Sequence, residues 1–389
     1  MTPEVPLIPG GKSGGGMFPV GAALLLAAAG LLGCLAIWSA RTFAGEPMVF
    51  VVRQLQWIGP GILLFLLSSI VPFRFYRKAA GVLEILSLGA LAAVLIGGVS
   101  INGMRGWFDL GFCTLQPSEF AKPFFLLYLC VRCGEWKTMT AGQWLKLLAV
   151  SGLTTGLVLA EPDYGGGAIF FLIFVLTAVL AGARLQVLFT SGALMLLGTL
   201  IFLLNNDYAM FRIVGFLNPE GASAWHIRQF QYTMAHGGWT GADWGSALWS
   251  GTFLPFPHTD SLYASIVEST GFIGGALIIV GFLVMGAAFC VLSWKVRGDN
   301  PDRKYFIFSA GAVYLIQALI HISVNCVLIP PTGITLPILS YGGSALLAVL
   351  LTFGIAFSAA RADEPETIST VGQPAAGEPH TDPAGPPLP

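Results

Sequence analysis

The chain has 389 residues, 55% of them hydrophobic and only 10% charged, with a formal net charge of −1. A soluble domain carries about 25% charged residues, so a soluble globular protein is excluded, and the charge gives no sign of a nucleic-acid partner. Apolar runs of ~20 residues, each long enough for a ~30 Å hydrocarbon core, recur along nearly the whole length, which reads as an all-α polytopic membrane protein.

In chain order, residues 1–16 form a Pro- and Gly-rich segment of the kind that stays disordered. Ten transmembrane helices are then expected at about 17–40, 49–72, 79–100, 117–133, 143–160, 165–182, 185–204, 262–292, 304–328 and 337–360, making one domain over 17–361. The first run has no obvious cleavage site after it and reads as a retained span. Between the seventh and eighth spans lies a long loop, about 205–261, far above the usual connection length. Its Trp225, Trp239, Trp244 and Trp249 predict a folded loop lying at the membrane interface. Residues 362–389, rich in Pro, Gly and Ala and without aromatics, predict a disordered tail. No clear internal repeat is present, which disfavours inverted-repeat transporter folds. Cys130 and Cys133 form a CxxC without a second ligand pair nearby in sequence, so apolar packing is the preferred reading.

Basic residues orient the chain, because short cytoplasmic loops hold the positive charge. With the N-terminus inside, the inner side collects Lys12, Arg74, Arg77, Lys78, Arg132, Lys137, Lys146, Arg184, Lys295, Arg297, Arg303, Lys304 and Arg361. The outer loops keep Arg41, Arg105, Arg212 and Arg228. Both termini are therefore expected to be cytoplasmic.

That orientation puts four unusual polar stretches on the outer face: "NGMRGWFDLGFCTLQPSEFAK" at 102–122, "EPDYGGG" at 161–167, "HTD" at 258–260 and "PPTGITLPILSYGGS" at 330–344. Each alone reads as a turn; four together point to an outward-facing site. Pro117 and Ser118 mark a helix start with Glu119 in its first turn, where an anion is favoured. Lys122, one turn in, either pairs with Glu119 three residues away or joins the helix N-terminus in holding a phosphate. Asp260 precedes the eighth span and is either a helix-end partner or a site carboxylate, with Glu268 eight residues on expected on the same helix face. Arg53 and Glu84 fall inside spans, where ionisable residues are functional or paired, and Arg53 is near enough to the outer end to snorkel. Gln317, His321 and Asn325 line one helix face, a pattern of interhelical hydrogen bonding.

In this order, "LQPSEFAK", the 254–271 segment with "HTD" and the long "PPTGITLPILSYGGS" make the chain resemble the SEDS family of cell-wall glycan polymerases, the RodA and FtsW type, over about residues 45–358. The resemblance implies a peptidoglycan glycosyltransferase of the bacterial cytoplasmic membrane that polymerises lipid II at the outer face, in elongation or division. It implies Asp260 as the general base on the acceptor hydroxyl, with inversion at the donor sugar and departure of undecaprenyl pyrophosphate. Lys122 is the first choice for stabilising that pyrophosphate, with Arg212 and Arg105 next, and Glu119, Gln229, His258, Glu268, Ser340 and Ser344 complete the implied substrate-binding set. A divalent cation, Mg2+ or Mn2+, is the cofactor that this chemistry allows. A class B penicillin-binding transpeptidase with one membrane span is the implied protein partner, beside membrane lipids. The alternatives are a flippase or transporter for lipid-linked precursors and a non-catalytic scaffold for the transpeptidase. The chain departs from the family pattern at several positions. Arg105 comes one position early with Gly106 in its usual place, Glu161 replaces a Gln, and His226 another Gln. Phe256 replaces a Glu and Ser261 a Phe, and a glycine run is reduced to "GGWTGADWG".

Overall fold

A computed structural model describes residues 17–361, except 102, 136–138, 205–206, 219–220, 222–223 and 297–300. The expected terminal segments, 1–16 and 362–389, lie outside the described residues. Thirteen helices are described: α1 Met17–Arg41, α2 Pro47–Ile70, α3 Phe73–Gly97, α4 Pro117–Glu135, α5 Ala141–Ala160, α6 Tyr164–Leu180, α7 Leu185–Leu204, α8 Asp207–Leu217, α9 Trp225–Gly237, α10 Leu248–Thr252, α11 Leu262–Lys295, α12 Pro301–Asn325 and α13 Gly343–Ala360. Ten of them fall on the ten expected spans. Among the described residues seven, α1 to α3, α5 and α11 to α13, are long and apolar enough to cross a membrane; α6 and α7 offer shorter apolar stretches. The fourth, α4, carries Glu119, Lys122, Arg132 and Glu135 and is buried nearly all round, packing against α3, α12, α13 and α6.

The fold is a bundle around α12 and α13, the two most buried apolar helices, with α2 against α13 and α11 against α12. Large rings fill the interior: Phe289 meets Phe353 at 4.7 Å, Phe125 meets Phe170 at 5.5 Å, and the Tyr314 hydroxyl bonds Thr352 at 3.0 Å. Rings at these separations gain beyond their burial.

Sequence reading missed one element. Residues expected as the end of the third span and a loop form a three-stranded antiparallel ribbon, β1 Val99–Ile101, β2 Met104–Asp109 and β3 Thr114–Leu115. An Asn-Gly pair at 102–103 was the available signal, since such turns need a positive φ, and Gly103 has φ 83°. Expected boundaries also shift, with the last span beginning at Gly343 instead of 337 because 337–342 is irregular. The long loop is folded, as α8 to α10. It returns onto α11 where that helix breaks at Gly271, with φ 70° and a Cβ position only 2.2 Å from the Trp239 carbonyl, which leaves room for glycine alone.

Candidate active site

All four polar stretches meet at one end of the bundle. They line a cavity of about 1030 Å³, walled by the ribbon, the starts of α4, α6 and α13, part of α2, Arg212 of α8, and the 256–260 and 332–335 turns. Cavities of this size take a drug-sized or larger ligand.

Asp260 lies in this wall just before α11. Three consecutive carbonyls fix its turn: His258 O accepts from Tyr341 N–H at 2.9 Å, Thr259 O from the Ser340 hydroxyl at 2.8 Å, and Asp260 O from Asn325 Nδ2 at 3.0 Å. Asn325 Oδ1 also accepts the Ala264 N–H at 3.0 Å. One helix face of α12 thus holds the site together. Gln317 Nε2 bonds Thr335 O at 3.0 Å, and His321 donates from Nδ1 to Ile334 O at 2.7 Å while its Nε2 accepts from Tyr263 N–H at 3.4 Å. The stripe expected to bond between helices does so at the start of α11, and it also bonds two loops. With its backbone clamped, the Asp260 carboxylate is presented to the cavity. Burial raises its pKa above the ordinary carboxyl value, and Arg212 and the Thr259 hydroxyl pull it back. Gly333, at φ 76°, stands beside it, a Cβ there falling 3.8 Å from Oδ2.

Across the cavity, Lys122 Nζ pairs with Glu119 Oε2 at 2.7 Å, with the two side chains 7% and 14% exposed. Both readings of Lys122 are compatible with this, because the pair itself lines the cavity. Asp163 caps α6, its Oδ1 accepting Gly166 N–H at 2.7 Å. Its pKa is pushed up to about 6, by burial first and then by the charges of Glu119 and Asp260, against the Gly166 bond and Lys122. Sequence reading flagged its stretch but not the residue; an acid before a glycine-rich helix start was the signal. Arg53, also outside the implied set, is exposed and lines the cavity from α2 with Gln56 and Trp57.

The rest of the implied set divides. His258 lines the cavity, its ring 4.5 Å from Phe50 and 5.6 Å from Tyr341. Burial, aided by Arg41, lowers its pKa to about 4, so it is neutral near pH 7. Ser344 lines the cavity and accepts Gln116 N–H at 3.1 Å, while Ser340 is buried behind the wall. Three residues are elsewhere. Arg105 is on the ribbon's exposed side, bonding Leu95 O at 3.5 Å. Gln229 accepts from Trp249 Nε1 at 3.1 Å. Glu268, fully buried, holds the α9–α10 region through His236 Nδ1 at 2.8 Å, Trp249 N–H at 2.8 Å and both the N–H and hydroxyl of Ser250. The expected shared face with Asp260 fails because α11 starts at Leu262, so Asp260 is not on the helix.

For a divalent cation, no group of three or more His, Cys, Asp or Glu among the described residues is placed to hold an ion. Mg2+ commonly uses one or two carboxylates with substrate phosphates, so the residues alone do not define a metal site and no step below is routed through one.

Residues 20–364 match the cell cycle protein family that groups FtsW, RodA and SpoVE. The chain belongs to that family. Among its relatives, the "Probable peptidoglycan glycosyltransferase FtsW" of Coxiella burnetii is 31% identical over 327 residues, covering 80% of this chain and 86% of that protein. The stage V sporulation protein E of Bacillus subtilis is 31% identical over 354 residues, covering 87% and 94%. Of solved structures, a chain from a peptidoglycan synthase complex, studied for the coordination of polymerization and crosslinking, superposes with a TM-score of 0.73 at 28% identity, covering 88% of this chain and 97% of that one. The rod shape determining protein RodA of Thermus thermophilus superposes with a TM-score of 0.64 at 26% identity, covering 87% and 95%.

Proposed function

We propose that this chain polymerises lipid II, extending a lipid-linked glycan strand within the cavity. At the coarser level the assignment is plain: the chain is a multi-pass membrane protein and a peptidoglycan glycosyltransferase. The observation that carries the finer reading is a backbone-clamped carboxylate, Asp260, facing a cavity that also holds Lys122 and Arg212.

In this reading Asp260 takes the proton from the acceptor sugar's C4 hydroxyl, and the freed oxygen attacks the donor's anomeric carbon with inversion. The bond to undecaprenyl pyrophosphate breaks, and the departing charge is met by Lys122 and Arg212, with Arg53 at the cavity's α2 wall. General-base help is worth about 10²–10⁴-fold, and positioned cations act most strongly where water is excluded. Burial suits Asp260 to this role, since a raised pKa makes a better base. The cavity end faces the outside, as the basic-residue bias requires, both termini are cytoplasmic, and a single-span class B transpeptidase supplies crosslinking. A Mg2+ or Mn2+ ion would enter with the pyrophosphate.

The transporter alternative drew its support from the Gln317, His321 and Asn325 stripe, whose side chains are occupied in holding loops. The test is polymerisation of labelled lipid II by the purified protein with its transpeptidase, wild type beside Asp260→Ala. Glycan from the wild type alone is expected; equal product from both removes Asp260 from the chemistry.

A further inference from the structure

Glu161, at the end of α5, is fully buried, and neither of its carboxyl oxygens has a hydrogen-bond partner among the described residues. Its neighbour is Gly106 of β2: a Cβ at that position would fall 2.8 Å from Oε2, so the carboxyl occupies room that only a glycine leaves open. The ribbon therefore covers Glu161 from the side away from α5. Two residues on, Asp163 turns into the cavity and caps α6, so a charge on Glu161 would lie directly behind a wall that must receive a pyrophosphate.

Charged groups approach from three elements. Asp163 comes from the start of α6 and is the charge that acts on Glu161; Arg105 of β2 is exposed, with its guanidinium on the Leu95 carbonyl; the Glu119 and Lys122 pair of α4 acts on Asp163. None of them bonds Glu161. An unpaired buried carboxylate is too costly to persist, and such a group takes up a proton instead. Burial first, and then the Asp163 charge, push the Glu161 pKa up to about 8.

The geometry points to Glu161 as a protonated acid kept behind the cavity wall, whose ionisation shuts the site down from the alkaline side. Losing the proton places a second anion beside Asp163 in a fully buried position. That anion opposes binding of pyrophosphate and draws Lys122 away from substrate. Alternatively the carboxylate swings toward solvent and disturbs the ribbon over Gly106; in both cases activity falls. Glu161 is thus a positioning residue that acts through Asp163, and Glu161→Gln keeps its neutral form at every pH.

This inference rests on the polymerase reading, and the experiment separates the two. The rate of lipid II polymerisation by the full-length protein with its transpeptidase is measured from pH 5 to 9.5, wild type beside Glu161→Gln. Infrared difference spectra of the protein alone are recorded between pH 7 and 9. The wild type is expected to lose rate above pH 8, while Glu161→Gln keeps the acid limb and raises the ratio of the rates at pH 9 and pH 7 about ten-fold, as titration of one group near 8 requires. A protonated-carboxyl band is expected to vanish near pH 8 in the wild type and to be missing from the variant. An alkaline limb unchanged in the variant overturns the proposal, and so does a wild-type spectrum with no carboxyl titrating in that range. That second outcome needs no variant, so the proposal stays open to refutation even if Glu161→Gln does not fold. A wild type inactive at every pH counts against the polymerase reading, while the infrared result still decides the state of Glu161.

Discussion

At the end of the bundle away from the cavity, Asp302 is fully buried against Arg77 at 2.7 Å. Beside it Arg303 donates to the Ala359 and Arg361 carbonyls, and Arg361 to Ser69 O at 3.1 Å. These groups close α12 and α13 onto α2 and α3. At the cavity end, Asp260, Asp163 and Lys122 line an opening, and Glu161 behind it has no hydrogen-bond partner among the described residues. Both ends put charge into an apolar bundle, where each unpaired group is costly. At the far end the buried acid is answered by an arginine; at the cavity end the backbone is held tightly while Asp260, and the Lys122 and Glu119 pair, face open space. The difference teaches that in this fold a well-bonded backbone under a poorly bonded carboxylate marks function, whereas a buried ion pair marks closure.

Lys122 tests the contrast most severely. Lys122→Met is expected to cut polymerisation by about 10²–10³-fold, the scale of losing one positioned charge-stabilising group, while the folded protein persists. A rate within a few-fold of wild type would make the Glu119 pair structural, like Asp302 with Arg77. Arg212 sharpens the same point through pH. Its charge lowers the Asp260 pKa, so Arg212→Gln raises it, and the acid limb of the pH–rate profile moves upward. At pH values below that limb the base is protonated and the rate falls; an acid limb that stays in place would separate Arg212 from Asp260. The smallest effect belongs to Ser340, which accepts Leu336 N–H at 2.9 Å and donates to Thr259 O. Ser340→Ala is expected to cost about 1–3 kcal/mol of stability and to lower kcat with KM unchanged. A raised KM at constant melting temperature would instead place Ser340 on the substrate.

Much of this was legible in the sequence, for identifiable reasons. Apolar runs of span length announce helices, because a backbone in lipid must satisfy its own hydrogen bonds. The four polar stretches interrupt those runs at connections on one side, and the cavity is where they meet. The ribbon was hidden because its residues are too few to outweigh the apolar run before them. Glu268 was misplaced by counting helix turns from a residue that precedes the helix, and its carboxylate instead ties down Trp249 and Ser250. Arg105 was misplaced for a related reason: neighbouring strand residues face opposite sides, and Gly106 is the one packed on Glu161. Two departures from the family pattern, at 106 and 161, stand 55 positions apart in sequence and touch in space. No one-dimensional reading could have joined them.

Two aspartates, one at each end of the bundle, give the most direct test. Asp260→Asn and Asp302→Asn are to be compared for melting temperature and for lipid II polymerisation per folded molecule. The expected result is a loss of about 10²–10⁴-fold in rate with unchanged melting for Asp260→Asn, and lowered melting with near wild-type rate for Asp302→Asn. An Asp260→Asn protein that polymerises within ten-fold of wild type would contradict it.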